Sequence, residues 1–253
     1  MELLKDNFDQ VQRIKDLVFG ARYALTHLPF VFADEVTPAE LVKFARISRY
    51  TRVPMNGLKA LCECIRSVEA RRIDGAFVEC GVWRGGTAAL LVDGAERQSR
   101  AVWLFDSFQG MPEATEHDDC GRSDALSGGR RGGRLVSTGT NVATQKYFRF
   151  LAGTRLELNM ANVHVVEGWF QETLPRVNKD MGPIALLRLD GDFYESTKVI
   201  LEHLYEQVVP GGVVLVDDYH SFSGCKKAID EMLGDRTRDF VHIPGKHGVW
   251  FIK

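Results

Sequence analysis

The chain has 253 residues, of which 45% are apolar, and its formal net charge at pH 7 is −2. This length and apolar content suffice to bury one large core, so we expect one α/β domain. The near-zero charge gives no electrostatic reason to expect binding to nucleic acid or to an anionic membrane. The chain has five cysteines, which is an odd number, and they lack the spacing of a zinc site. This suits a reducing compartment, so we expect a cytoplasmic protein.

The first 74 residues carry a hydrophobic pattern that predicts helices over 4–25, 38–47 and 55–71. Residues 1–20 carry charges every few positions, so neither a signal peptide nor a membrane span is expected there. Because the predicted sheet begins only at Phe77, these helices are expected to pack onto the sheet, onto a partner subunit or over a functional site.

A glycine-rich turn follows the first predicted strand. The strand leads through Glu79 into Gly81, Gly85 and Gly86, and a helix is predicted over 88–95. Glycines let the backbone approach a ligand closely, and a helix start supplies free N–H groups. The spacing Glu-x-Gly-x-x-x-Gly differs both from the dinucleotide fingerprint and from a P-loop. The turn is therefore a candidate ligand site of another kind.

The second predicted strand, over 101–105, ends at Asp106 and Ser107. An acidic residue at this strand tip, about 20 residues beyond the glycines, is placed to accept hydrogen bonds from ribose hydroxyls. Asp106 fits a helix cap equally well. Together with the glycine turn, it favours a nucleoside-containing cofactor.

A long insertion, residues 113–141, separates this strand from the next helix and contains an arginine–glycine run at 128–134. A loop of this length in a compact domain is normally functional or disordered. One alternative is an RNA-binding segment. The run is short, lacks interleaved aromatic residues and belongs to a chain without net positive charge, so a lid over an acceptor pocket is favoured.

The third predicted strand covers 163–167 and is followed by Gly168 and Trp169. A tryptophan at a strand tip could stack on an adenine, and it could equally fill the core.

Two short apolar runs without a helical period end in paired carboxylates. The run at 184–189 leads to Asp190 and Asp192, and the run at 213–216 leads to Asp217 and Asp218. Such runs are typical of strands buried on both faces of a parallel sheet.

Residues 195–209, between the two runs, predict a helix that is closed by Pro-Gly-Gly at 210–212. A strand–helix–strand unit makes the strands parallel, so both acidic tips lie at the sheet edge where α/β proteins bind ligands. Four carboxylates converging there repel one another unless a cation or a shared proton compensates. Oxygen ligands favour Mg²⁺, Mn²⁺ or Ca²⁺, and the alternative is that some of the four cap helices or lie in water.

The end of the chain predicts an antiparallel hairpin. Its strands are expected at 239–243 and 247–252, with Pro-Gly at 244–245 between them. This hairpin would complete the sheet.

Several of these segments together resemble the macrocin O-methyltransferase family, and they occur in the family's order: 79–86, 105–112, 168–170, 189–197 and 210–219. Members are S-adenosylmethionine- and Mg²⁺-dependent sugar O-methyltransferases of antibiotic biosynthesis. The resemblance implies a Rossmann-like class I methyltransferase fold, with a seven-stranded, mostly parallel sheet whose last strand is reversed. The resemblance covers most of 75–253, which we expect to form the methyltransferase domain, and the helical region at 1–74 is expected to be an extension that makes lid or oligomer contacts.

The resemblance also implies roles for individual residues. Those expected to hold S-adenosylmethionine are Met55, Glu79, Gly81, Arg84, Gly85, Asp106, Ser107, Trp169 and Asp190. Those expected to bind Mg²⁺ or Mn²⁺ are Asp190, Asp217 and Asp218. Asp192 is left free to take a proton and is the expected general base, with His220 as the second candidate. Tyr50 lies where relatives place an aromatic that closes over the site.

The expected acceptor is a small-molecule glycoside that carries a deoxysugar, and we expect a homo-oligomer that binds neither nucleic acid nor membrane. Two alternatives stay open. A catechol-type phenolic O-methyltransferase would use the same metal and cofactor, and a non-enzymatic protein would bind RNA through the arginine–glycine run.

Overall fold

A seven-stranded sheet lies at the centre of the protein. The structure is a computed structural model that describes residues 2–33, 35–118, 135–177, 179–245 and 247–253. The strands are β1 (Ala76–Cys80), β2 (Val102–Asp106), β3 (Val163–Glu167), β4 (Ile184–Leu189), β5 (Val208–Val216), β6 (Val241–His242) and β7 (Val249–Ile252). The helices are α1 (Glu2–Phe32), α2 (Pro38–Ile47), α3 (Met55–Ala70), α4 (Gly86–Ala95), α5 (Gln145–Arg149), α6 (Phe170–Val177), α7 (Tyr194–Leu204) and α8 (Ser223–Leu233).

The strand order is β3-β2-β1-β4-β5-β7-β6. The first five strands in this order run parallel, and β7 is antiparallel to both of its neighbours. This confirms the predicted seven-stranded, mostly parallel sheet with a reversed last strand. The order changes direction between β1 and β4, and ligands bind at such switch points beyond the carboxyl ends of the strands.

Both faces of the sheet are covered by helices. Along β1, Phe77 packs into a core with α2, α3 and α4, while Val78 packs into a second core with α6, α7 and α8. Phe44 of α2 and Leu58 of α3 are completely buried in the first core. Burial of side chains this size contributes about 1.5–3 kcal/mol each. The sequence left three positions open for the N-terminal helices: on the sheet, on a partner subunit or over a functional site. Helices α2 and α3 therefore pack on the sheet.

Helix α1 extends seven residues beyond the predicted end and includes Pro29. It is joined to the rest of the protein by Asp16, which is buried and accepts hydrogen bonds from Arg49 and from the Tyr50 hydroxyl, each at 2.8 Å. No helix in the described part of the chain combines the length and apolarity needed to cross a membrane.

The predicted boundary between α7 and β5 is wrong. The helix ends at Leu204, a 3₁₀ turn covers Tyr205–Gln207, and the Pro-Gly-Gly at 210–212 lies inside β5. The register with β4 shifts there, because Ile184 pairs with Val208 but Leu186 pairs with Val213. The glycines thus form a bulge rather than a turn, and their backbone groups bond to the end of β7.

Candidate active site

A cleft of about 460 Å³ opens at the carboxyl edge of the sheet, over the switch between β1 and β4. Its volume lies within the range of about 300–1,000 Å³ that is usual for small-molecule sites. The cleft walls come from the loops after β1 to β5, from residues 50–53 and from residues 140–141. Eight of the residues predicted to bind the cofactor or the metal, or to act as the base, line it: Gly81, Asp106, Ser107, Trp169, Asp190, Asp192, Asp217 and Asp218.

Gly81 sets the distance between the tips of β1 and β4. Its φ is +98°, and a Cβ there would lie 1.9 Å from the carbonyl oxygen of Asp190. The N–H of Asp190 donates to the carbonyl of Cys80 at 2.8 Å, so the two strand tips remain bonded up to the cleft. Only a residue without a side chain permits this approach.

Asp106 braces the glycine turn. Its Oδ2 accepts hydrogen bonds from the backbone N–H groups of Val82 (2.8 Å) and Trp83 (2.7 Å), and its Oδ1 accepts one from Phe108 (2.6 Å). Burial raises the pKa of Asp106, while these three donors act in the opposite direction. The carboxylate lines the cleft as expected, and its predicted ribose contact stays a prediction.

Three carboxylates cluster on the floor of the cleft. Asp190, Asp192 and Asp218 each place one oxygen within 4.8 Å of the others. The backbone N–H of Asp192, whose φ is +56°, donates to Oδ2 of Asp218 at 3.1 Å. Burial and the neighbouring carboxylates raise the pKa of Asp192 and of Asp218 well above the usual range. A site made only of crowded oxygen donors fits a hard divalent cation.

Asp217 is held differently. Its Oδ1 lies 2.7 Å from Nη2 of Arg188, and its Oδ2 lies 3.1 Å from Nε2 of His247. Burial alone would raise the pKa of Asp217, but Arg188 and His247 hold it below the usual range. The compact cluster therefore contains Asp192 in place of Asp217, so it differs from the predicted ligand set. The ligand and base assignments themselves stay predictions.

Comparison with known proteins assigns the family. The family model described as macrocin-O-methyltransferase (TylF) matches residues 45–252. The chain belongs to this family. It is 38% identical over 187 residues to demethyldecarbamoylnovobiocin O-methyltransferase of Streptomyces niveus, with 72% of this chain and 67% of the relative covered. It is 33% identical over 210 residues to mycinamicin III 3''-O-methyltransferase of Micromonospora griseorubida, with 79% of each covered.

Solved structures agree with this assignment. The O-methyltransferase NovP matches with a TM-score of 0.67 at 32% identity, over 81% of this chain and 82% of NovP. The calicheamicin methyltransferase CalS11 matches with a TM-score of 0.63 at 20% identity, over 92% and 91% of the two chains, and supports the fold. The protein is an S-adenosylmethionine-dependent O-methyltransferase.

Four of the residues predicted to hold the cofactor are not among the residues that line the cleft. Met55 is buried in the core at the start of α3. Gly85 is the N-cap residue of α4 with φ +89°, and a Cβ there would lie 2.4 Å from the Phe148 ring. The guanidinium of Arg84 contacts the rings of Trp83 and Tyr147 at 4.5 and 5.0 Å from their centroids.

Glu79, the fourth, is completely buried in β1 and accepts a hydrogen bond from Arg188 at 2.8 Å. Burial raises the pKa of Glu79 to about 7, while Arg188 acts in the opposite direction. The cofactor roles of these four residues have no support from the cleft lining and stay predictions.

Two other predicted residues take unexpected positions. Tyr50 lines the cleft, but its side chain is buried and its hydroxyl is bonded to Asp16 of α1. It therefore forms part of the cleft wall in this structure, and its closure over the site stays a prediction. His220 is exposed, lies outside the cleft lining and bonds to His242 at 2.9 Å. This position does not favour it as a base.

Trp83, Arg188 and His247 are the functional candidates that sequence reasoning missed. Trp83 lines the cleft with φ +48°, and its buried indole N–H has no partner among the described residues. Arg188 carried a usable signal, because a charged residue inside an apolar strand must be paired. His247 carried none, since its contact with Asp217 depends on how the β6–β7 hairpin folds back.

The ends of the 113–141 insertion border the cleft. The backbone of Met111 pairs with Thr138 and Thr140, and the cleft lining includes Pro112, Thr140 and Asn141. Residues 119–134, with the arginine–glycine run, lie outside the described residues. The lid stays a prediction.

Proposed function

We propose that the methyltransferase transfers the methyl group of S-adenosylmethionine to a sugar hydroxyl of a natural-product glycoside, in a metal-dependent reaction. The cluster of Asp190, Asp192 and Asp218 on the floor of the cleft carries the proposal. The names of the relatives support the acceptor class, because one methylates mycinamicin III at a 3'' position and another acts on a rhamnosyl tetracenomycin.

For the cofactor, the proposal uses residues that line one side of the cleft. Gly81 lets the backbone approach the ligand, and Asp106 and Ser107 supply oxygens at the tip of β2. The unpartnered indole N–H of Trp83 needs an acceptor, which a polar ligand in the cleft supplies. Trp169, which lines the cleft beyond β3, offers a ring for stacking on the adenine.

For the metal, we retain Asp190, Asp217 and Asp218 as ligands. These residues would hold Mg²⁺ or Mn²⁺, which would supply Lewis-acid chemistry that orients the acceptor oxygens and lowers the pKa of a hydroxyl. Metal ligands must be ionised, and Arg188 and His247 keep the pKa of Asp217 low. The pKa of Asp192 and that of Asp218 are both raised well above the usual range, so this property does not tell a base from a ligand. Asp192 is kept as the general base because the retained ligand set leaves it free to take the hydroxyl proton.

The acceptor class can be tested by mass spectrometry with a labelled methyl donor. Deoxysugar glycosides and catechols are offered in parallel, with Mg²⁺ and with EDTA. We expect label on a sugar oxygen, with Mg²⁺ only. Label on a phenolic oxygen would replace the sugar acceptor with a catechol-type one, and label transfer in EDTA would remove the metal from the proposal.

We also propose that the enzyme is a cytoplasmic homo-oligomer that binds neither RNA nor membrane. Helix α1 exposes apolar side chains, among them Leu17 (67% exposed), Leu25 (74%) and Phe32 (80%), which supports contact with a partner subunit. The four cysteines in the described chain are free and buried, as in a reducing compartment. Light scattering tests the oligomer, and a salt-dependent gel shift tests RNA binding.

A further inference from the structure

A completely buried arginine lies beneath the carboxylate cluster. Arg188 of β4 is 1% exposed and contacts the tips of three adjacent strands. Its Nη1 donates to Glu79 of β1 at 2.8 Å and to Asp190 beyond β4 at 2.9 Å. Its Nη2 lies 2.7 Å from Oδ1 of Asp217, which follows β5. One guanidinium thus holds three carboxylates.

The rest of β4 is apolar, since the strand reads Ile-Ala-Leu-Leu-Arg-Leu. A buried ion-pair network is weak evidence for stability, because well-packed apolar residues often serve a fold equally well or better. A planar guanidinium, by contrast, fixes the orientation of the carboxylates it binds. The presence of Arg188 at this position is therefore better explained by orientation than by stability.

The carboxylate oxygens differ in their contacts with Arg188 and His247. Arg188 binds Oδ2 of Asp190, which leaves Oδ1 of that residue without this contact. Each oxygen of Asp217 has one cationic neighbour, Arg188 or His247, and keeps a second lone pair for a metal. His247 is itself packed against α3, since a Cβ on Gly57 would lie 2.8 Å from its ring. The side chain of Asp217 is thereby held from two sides.

We infer that Arg188 is a positioning residue, which holds Asp190 and Asp217 in the arrangement that binds the divalent metal. It does not contact the reacting atoms, and it acts through the two carboxylates. The inference rests on the proposed metal-dependent function.

The test compares Arg188→Lys with Arg100→Lys. Lysine keeps the positive charge but lacks the fork that reaches three partners. Arg100 is the matched control, because it is also buried and bonds to Glu69 (2.7 Å) and to the carbonyl of Gly75 (2.8 Å), but it lies outside the cleft lining. The readouts are the Mn²⁺ dissociation constant by electron paramagnetic resonance, S-adenosylhomocysteine binding by calorimetry, and the melting temperature.

We expect Arg188→Lys to raise the Mn²⁺ dissociation constant by ~10-fold or more, as loss of a residue that orients a ligand does. S-adenosylhomocysteine affinity should stay near the wild-type value, and excess Mg²⁺ should restore part of kcat. Arg100→Lys should lower the melting temperature without changing Mn²⁺ affinity. Wild-type Mn²⁺ affinity in Arg188→Lys would overturn the inference.

Should Arg188→Lys fail to fold, the double variant R188Q/D217N removes one positive and one negative charge together. It is compared with D217N alone. Weaker Mn²⁺ binding by the double variant supports a hold on Asp190, and equal binding overturns it. Wild-type protein that binds no Mn²⁺ and turns over in EDTA would instead refute the proposed metal dependence itself.

Discussion

Glycine is needed at position 81, at the tip of β1, for two reasons: its positive φ and its close approach to the backbone of Asp190. Replacement of Gly81 by alanine tests both. With φ +98°, an alanine there enters the left-handed region, which costs about 1–2 kcal/mol. Its Cβ would also lie 1.9 Å from the carbonyl oxygen of Asp190, which is backbone and cannot rotate away. Forcing strands apart in a packed region costs about 1–3 kcal/mol more. The free energy of unfolding should therefore fall by roughly 2–5 kcal/mol.

Gly182→Ala is the matched control, because Gly182 has φ +68° but nothing lies within 4 Å of its Cβ position. It should lose only the backbone contribution of about 1–2 kcal/mol. For a chain of this size, 1 kcal/mol corresponds to about 2–4 °C in melting temperature, so Gly81→Ala should melt roughly 4–20 °C lower than wild type. Calorimetry should also show weaker S-adenosylhomocysteine and Mn²⁺ binding by Gly81→Ala alone. Equal melting and binding in the two variants would refute the role assigned to the close approach of β1 and β4.

Three further predictions concern the carboxylates and the lid. Asp192→Asn should keep Mn²⁺ and S-adenosylhomocysteine binding while kcat falls ~10²–10⁴-fold, whereas Asp217→Asn should lose metal affinity first and recover with added Mg²⁺. Rescue of Asp192→Asn by Mg²⁺ would make Asp192 a ligand. Because the pKa values of Asp192 and Asp218 are raised, their contribution to stability without metal is present at low pH and lost as pH rises through the raised values. The rise in melting temperature caused by Mg²⁺ should therefore grow as pH increases, and a rise that does not depend on pH would contradict the repulsion. Deleting residues 128–134 should raise KM for the acceptor and leave cofactor affinity unchanged, and lost cofactor binding would place the segment in the core site.

The strands and their acidic tips could be predicted because their signals are local. The run at 163–167 matches β3 residue for residue, and the tips carrying Asp190 and Asp217 meet at one edge of the sheet as parallel connections require. Glycine at position 81 was predicted to let the backbone approach a ligand, whereas the close approach in the structure is to the carbonyl oxygen of Asp190.

The pairing of individual side chains could not be predicted, because it depends on contacts between residues far apart in sequence. Asp217 belongs to a conspicuous Asp-Asp pair, yet its partners are Arg188 and His247, one on the neighbouring strand and one in the hairpin turn. The Pro-Gly-Gly at 210–212 has the composition of a turn, but its bonds to the end of β7 make it a bulge. Tyr50 is fixed by Asp16, 34 residues earlier.

We propose that methyl transfer by this enzyme needs a divalent metal bound at Asp190, Asp217 and Asp218. The most direct measurement is methyl transfer to a deoxysugar glycoside by metal-free enzyme during titration with Mg²⁺, with S-adenosylmethionine binding followed by calorimetry in the same samples. We expect no turnover without metal, recovery that saturates with Mg²⁺, and cofactor binding that persists largely unchanged in EDTA. Full turnover in EDTA would contradict it.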